Sequence, residues 1–275
     1  MENSTQPSAT MGLVVYLLVP LSVIVQFAHP AAAQGSFTRA DDYSFIHPEA
    51  NVIQCYTDTA LDQLRGAWSA ADSNAFVIAH FGDEHIQGDM FTGSLQEILH
   101  SERGDGGWGM VQPTSVVRTF SSVYYTSSHK GAWRYDAANL MTPSLPRGVS
   151  GMVAKTTDEN AQITFEFQEQ LPERPMRLQL FCESNNSFDM LWVSGDDTVV
   201  IQPSSMNAES CYIEVLIPSF DREFTLMCHK TAPSQSEFTF HGANLLSAKD
   251  SGLVYHSLGV EGSGYVGILN ADLFN

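Results

Sequence analysis

Asp83, Glu84, His85, Gln87 and Asp89 crowd into one short string, AHFGDEHIQGD, Ala79 to Asp89. Carboxylates beside an imidazole can move a proton, orient an attacking group or hold a hard cation. Asp83, Glu84 and Asp89 are the residues a cation would need. Acids at the start of a helix are also commonplace, because the exposed N–H groups there favour negative charge. The cation site is therefore the lesser expectation, and no metal or cofactor is expected. His80 and His85 read as surface or satisfied-core histidines rather than ligands. Ser127-Ser128-His129 sets Ser and His side by side, but adjacent strand residues point to opposite faces, which argues against a catalytic pair.

These residues need elements to hold them. Ala75-Phe76-Val77-Ile78-Ala79 is a short apolar run of the kind that forms a buried parallel strand, and Gly82-Asp83 breaks it. Met90 to Leu99 then predicts a helix, with Phe91, Leu95, Ile98 and Leu99 at helical spacing. Strand, tight turn and helix form the mount on which hydrolases place a nucleophilic serine, because the free N–H groups stabilise a developing oxyanion. Here that position holds Glu84.

Upstream, Thr59 to Ala70 predicts a helix that Thr59 caps, with Leu61, Leu64 and Trp68 on one face. Downstream, GDGGWGMVQP (Gly104 to Pro113) is too rich in glycine to continue a helix. From there to about Ala243, alternating runs such as QITFEFQ, RLQLFCE and EFTLMCHK predict short strands, with a hairpin at Ser194-Gly195-Asp196-Asp197. Such a series suggests a sandwich with a core of Phe165, Leu180, Trp192, Val215, Ile217 and Leu226. Gly252 to Val260 (GLVYHSLGV) is a second buried-strand candidate, followed by Gly262 and Gly264, and is expected to pair in parallel with the first. The expected fold class is α/β: a parallel-sheet core at 34–112 and 244–275, interrupted by an all-β sandwich at 113–243.

The chain has 275 residues and a formal charge of -18, which repels phosphate backbones and argues against nucleic acid as a partner. Met11 to Ala28 is apolar and uncharged, and Ala31 and Ala33 match the A-x-A cleavage pattern. Residues 1–33 thus read as a secretory signal or an N-terminal membrane anchor, although Glu2 is the only charge before the apolar run. Pro20 splits that run and favours cleavage. The expected location is periplasm, cell envelope or beyond. Cys55, Cys182, Cys211 and Cys228 show no C-x-x-C spacing, so zinc is not expected, while free thiols and a disulfide both stay open. Trp108, Tyr124, Tyr125, Trp133 and Trp192 are candidates for a sugar-stacking platform, weighed against ordinary core packing.

HFGDEHIQGDMFTGSLQEIL resembles the first sequence block of SGNH (GDSL-type) hydrolases. More narrowly it resembles an exported bacterial group that includes peptidoglycan O-acetylesterases. GDGGWGMVQP, SSHKGAW, LPRGVSG and GLVYHSLGVEGSGY extend the likeness from about Tyr43 to the C-terminus. The resemblance implies an SGNH-type, flavodoxin-like parallel-sheet core, incomplete here, with the β insertion where that group carries one. It places Glu84 at the nucleophile position and has Asp83 brace the turn. The N–H of residue 84 and that of Gly262, in VEG, are the implied oxyanion donors. His85 and Gln87 match the family string without a derivable role.

Two departures stand out. A carboxylate cannot act as the family's serine, and its charge opposes an oxyanion. The family's later asparagine and Asp-x-x-His fall beyond Asn275, and His256 is the last of the nine histidines. The implied function is an exported relative of cell-wall polysaccharide O-acetylesterases, inactive or a fragment as given. A non-catalytic carbohydrate-binding or scaffold protein is the alternative. The implied partner is acetylated polysaccharide or peptidoglycan.

Overall fold

The computed structural model describes residues 61–264 apart from 172–173 and 207–210, together with residues 45, 47, 49, 52, 56, 57, 59, 266 and 267. The apolar segment Met11 to Ala28 and Cys55 lie outside these. Among the described residues no helix is long and apolar enough to cross a membrane.

Helix α1 spans Asp62–Ser69, shorter than expected and without a Thr59 side-chain cap; Leu61 takes the cap position and the Asp62 N–H donates to the Thr59 carbonyl. Leu64 is exposed, and α1 is held through Trp68, which packs edge-on against Phe76 and lies beneath the Arg103 guanidinium. Strand β1 (Phe76–Gly82), the single turn α2 (Glu84–Gln87) and helix α3 (Thr92–Arg103) follow in the expected order. The expected apolar face of α3 is not its buried face. Phe91 and Ile98 are exposed, whereas Thr92 and Gly93 are buried.

After α3 the chain changes character. Strand β2 (Gly107–Val111) and the turn α4 (Thr114–Val117) lead into β3 (Tyr125–Lys130), β4 (Trp133–Ala137), β5 (Met152–Thr156) and β6 (Gln162–Phe167). Strands β7 (Met176–Cys182), β8 (Asp189–Ser194), β9 (Asp197–Ile201) and β10 (Tyr212–Ile217) follow, then β11 (Glu223–His229), β12 (Phe238–Ser247) and β13 (Leu253–Gly259). One antiparallel sheet runs β10-β7-β12-β5-β4 with β2 added on β12, and the other runs β3-β6-β11-β8-β9. The β8–β9 hairpin closes where expected, with Ser194 opposite Asp197.

One core cluster draws on both sheets, and Phe165 of β6 meets Phe240 of β12 across them at 6.4 Å. Phe165, Leu180, Trp192, Ile217 and Leu226 are buried in it and Val215 packs against it. Cys182 and Cys228 are buried free thiols, both pushed up to about 12 chiefly by burial, while Cys211 is free and exposed.

The α/β fold class is not what the chain adopts. Strand accounts for 41% of the structure against 16% helix, and among the described residues parallel pairing between strands is confined to β1 with β13, with isolated parallel bridges at Asp105–Leu253 and Ser187–Glu237. A doubly wound α/β core needs successive crossovers that each return a strand parallel to the last. Here the strand after α3 is β2, and it pairs antiparallel with β12. The strand, turn and helix around Gly82 follow in the expected order, but one strand–helix unit does not make a sheet. The two strands themselves pair as expected, from Phe76 opposite Leu253 to Gly82 opposite Gly259.

Strand β2 explains the glycine-rich GDGGWG. It lies on β12 within the six-stranded sheet and close to β13: the Gly106 N–H donates to the Leu253 carbonyl, and the Leu253 N–H to the Gly104 carbonyl. At Gly109, with φ of 91°, a Cβ would fall 2.3 Å from the Tyr255 carbonyl oxygen. Two backbones can approach this closely only where no side chain intervenes. The expected boundaries near 112 and 243 therefore fall beside β2 and inside β12, both members of one sheet.

Candidate functional site

The candidate site is the turn between β1 and α2. Asp83 leaves the strand in an extended conformation and caps α2, its Oδ1 accepting the His85 N–H at 3.0 Å and lying 3.1 Å from His85 Nδ1. The His85 amide, then its imidazole, hold the Asp83 carboxyl below the usual carboxylate range. Beneath the turn, a Cβ at Gly259 would fall 2.1 Å from the Gln87 backbone nitrogen and 2.4 Å from the Asp83 carbonyl oxygen. The end of β13 is thus a bare platform for α2. The Val260 N–H extends the contact by donating to the Gly82 carbonyl at 3.0 Å.

Glu84 and Gly262, distant in sequence, come together. The Gly262 N–H donates to Glu84 Oε2 at 3.2 Å, and Gly262 has a φ of 66°. This N–H is the one the resemblance assigns to an oxyanion. Here a side-chain carboxylate takes it. An oxyanion arriving there would meet a negative charge and a donor already engaged. Asp83, to which the resemblance gives the bracing of the turn, accepts the His85 amide there.

Gln87 acquires a role. Its side chain is buried; Oε1 accepts the Glu261 N–H at 2.6 Å, and Nε2 donates to Thr119 Oγ1 at 3.0 Å and to the Phe120 carbonyl. Thr119 in turn donates to Glu261 Oε2 at 3.0 Å. One amide therefore ties α2, the turn carrying Gly262 and the segment after α4. Thr119 and Glu261 belong to the candidate site without any local signal of their own in the sequence. No spacing rule points to partners 32 and 174 positions away. The only available signal was an amide one turn beyond the acid.

Asp89 does not join Asp83 and Glu84. It is buried, has a φ of 56° and accepts from Thr92 Oγ1 at 2.9 Å. Burial raises its carboxyl pKa, with Ser122, Ser257 and Thr92 hydrogen bonds opposing the rise. The donor atoms of Asp83, Glu84 and His85 do lie within 4.8 Å of one another, but Glu84 and His85 are exposed and such acidic groups are common without an ion. His80 is half-buried and has a hydrogen-bond partner, its Nδ1 lying 2.5 Å from the Tyr255 hydroxyl.

Among the described residues no imidazole is hydrogen-bonded to Glu84. His85 Nδ1 faces Asp83, and His256 is packed away in β13 with its Nδ1 unpartnered and its pKa pushed down to about 4 by burial. His129 meets neither Ser127 nor Ser128 but Ser115 Oγ, at 3.0 Å. Ser115 takes its position from its own N–H, which donates to Ser127 Oγ at 2.8 Å. No carboxylate among the described residues completes this pair.

The five aromatic candidates for a platform separate. Trp192 and Tyr125 are core, and Trp133 closes the β3–β4 turn by donating Nε1–H to the Lys130 carbonyl. Trp108 and Tyr124 pack edge to face at 5.9 Å and line a cavity of about 310 Å³ beside α3.

No protein-family model and no curated protein matches the chain. Among solved structures the chain is similar to one described as a peptidoglycan O-acetylesterase in action, with a TM-score of 0.51 and 19% identity over 74% of this chain and 52% of that one. The chain thus spans about half the length of that structure, and the likeness is one of fold. A family 32 carbohydrate-binding module from Clostridium perfringens, in complex with GlcNAc-α-1,4-galactose, overlaps with a TM-score of 0.32 and 12% identity, over 46% of this chain and 97% of that one. A family two carbohydrate esterase from Cellvibrio japonicus overlaps with a TM-score of 0.24 and 8% identity, over 46% and 35% respectively. The last two scores are too low to carry an argument.

Proposed function

We propose that this chain is an exported relative of the SGNH (GDSL-type) carbohydrate O-acetylesterases in which the catalytic turn survives as architecture without catalysis. The observation that carries this reading is the Glu84 carboxylate bonded to the Gly262 N–H. In acyl transfer a serine oxygen attacks the carbonyl, a base takes its proton, and free N–H groups receive the charge that develops on the carbonyl oxygen. Glu84 replaces the first, no imidazole bonded to it supplies the second, and its own carboxylate engages one donor of the third. The HFGDEHIQGD string and the fold shared with half of a peptidoglycan O-acetylesterase support the lineage.

The retained activity is binding: the β-rich region, about 113–243 with its flanking strands, engages acetylated polysaccharide or peptidoglycan outside the cytoplasm. The Trp108–Tyr124 cavity favours this reading. The deciding experiment follows acetate release from acetylated xylan, from O-acetylated peptidoglycan and from 4-nitrophenyl acetate. The intact chain and Glu84→Ser should both stay at background, because a serine without its base is a poor nucleophile near neutral pH. Hydrolysis by the intact chain that Glu84→Gln abolishes would make Glu84 catalytic and overturn the proposal.

A further inference from the structure

We propose that the cavity between α3 and the adjoining edge of the sandwich is a binding site for one ring of a neutral glycan. The proposal rests on the carbohydrate reading above and gives it a location, away from the Glu84 turn. At about 310 Å³ the cavity sits at the small end of the range for ligand sites, of about 300–1,000 Å³, which suits a single sugar ring.

Its wall is aromatic and held in place. Trp108 packs edge-on against Phe167 at 5.1 Å and against Tyr124 at 5.9 Å, and its carbonyl accepts from Gln96 Nε2 at 3.1 Å. Phe167, Leu171 and Met176 add buried apolar surface. A pyranose presents a C–H face that such a wall can cover, leaving its hydroxyls for polar neighbours.

The polar side carries no excess positive charge. Arg174 pairs with Asp105, which also accepts the Gly107 N–H at 2.8 Å and lies 3.8 Å from His100. Burial favours the neutral form of His100, with the Asp105 charge opposing it. Arg174 Nε, on a residue lining the cavity, is buried without a hydrogen-bond partner, whereas the His100 ring is also hydrogen-bonded to the Leu253 backbone. Arg174 and Gln170, also on the lining, carry side-chain N–H donors suited to oxygen acceptors. Glu97 and Glu169 are exposed on the lining, and the chain carries a formal charge of -18. Both oppose a phosphate or uronate ligand. What remains is a ring with an apolar face, oxygen acceptors and no negative charge.

Calorimetric titration with chitotetraose, cellotetraose and tetragalacturonate tests this. The intact chain should bind at least one of the two neutral oligosaccharides and not the anionic one. Trp108→Ala should weaken binding at least about tenfold, the ratio that about 1.4 kcal/mol represents. Should that variant fail to fold, Gln170→Trp decides the matter. Gln170 is exposed on the cavity lining, so a larger side chain there obstructs the cavity without disturbing the core. Unchanged affinity in the folded Gln170→Trp chain, or preference for tetragalacturonate, would overturn the cavity proposal. Equal retention of intact and Gln170→Trp chains on insoluble peptidoglycan would also overturn it, while leaving the carbohydrate reading in place. No binding of the intact chain to any of these glycans would remove both.

Discussion

The two antiparallel sheets and the parallel pair β1–β13 are held by different means. In the sandwich, Phe165, Trp192, Phe224 and Phe240 are wholly buried; Phe224 stacks on Phe165 and Trp192 within one sheet, and the Phe165–Phe240 contact crosses to the other. Around β1, apolar side chains face water: Val77 is 56% exposed and Met90 75%. Among the described residues β1 pairs with β13 alone, leaving its other edge without a strand. The residues with chemistry in their sequence, Asp83, Glu84, His85 and Gly262, all belong to the weaker region. The sandwich core and the candidate site lie in different regions, so mutations should report on one region or the other.

The largest difference should come from truncating apolar side chains. Phe165→Ala empties part of a core sealed on both sides and should cost about 3–5 kcal/mol in denaturant unfolding. Val77→Ala removes a side chain already in water and should stay within about 0.5 kcal/mol. Equal losses would mean that β1 is buried by something in solution and would end the comparison.

Acid should distinguish the regions next. His241 of β12 and His256 of β13 are both pushed down from 6.5 to about 4 by burial. A folded-state pKa below the unfolded value means that the unfolded chain takes up protons first. Each group's contribution is complete above about pH 6.5 and is lost as pH falls towards 4, up to about 3 kcal/mol apiece. His256 keeps partial exposure, so its share is the smaller. Denaturant midpoints followed from pH 7 to 4 should fall for the wild type and fall less for His241→Phe. His256→Phe should chiefly slow acid-induced amide exchange along β13. A flat profile in the wild type would contradict the burial of both rings.

The sequence was most readable where information is local. The strand at Phe76, the turn at Gly82-Asp83 and the hairpin at Ser194–Asp197 announce themselves through adjacent residues, and the alternation of β6, β7 and β11 identified a sandwich core. The parallel partnership of β1 and β13 was legible because both are short apolar runs ending in glycine turns. The fold class was not, since a strand's pattern does not name its neighbour: β2 carries the same glycine-rich texture whether it turns towards β13 or joins β12. For the same reason the Gln87–Thr119–Glu261 network was hidden, while the Glu84–Gly262 pairing emerged only as a clash between an acid and the expected oxyanion donor.

Gly259→Ala tests whether the two regions unfold separately. Its new methyl would meet the Gln87 nitrogen and the Asp83 carbonyl, neither of which is a flexible side-chain end. The substitution should cost about 1–3 kcal/mol, the range for overpacking, and should raise amide exchange through α2. Amides of β6, β8 and β11 should keep their protection. Uniform loss of protection would show that the turn and the sandwich unfold as one unit.

The smallest effect belongs to Glu84 itself, and it separates an occupied donor from a free one. The Glu84–Gly262 bond is exposed, so removing it should change global stability by less than about 1 kcal/mol. The informative signal is local. Glu84→Gln retains an acceptor and should leave Gly262 N–H exchange close to that of the wild type. Glu84→Ala removes both the acceptor and the charge, so the Gly262 amide should exchange faster. With the site no longer repelling anions, millimolar acetate should then shift the Gly262 amide resonance in Glu84→Ala and not in the wild type. Acetate-dependent shifts in both chains would mean that the carboxylate does not occupy the donor in solution. Shifts in neither would mean that the Gly262 N–H cannot receive an oxyanion at all.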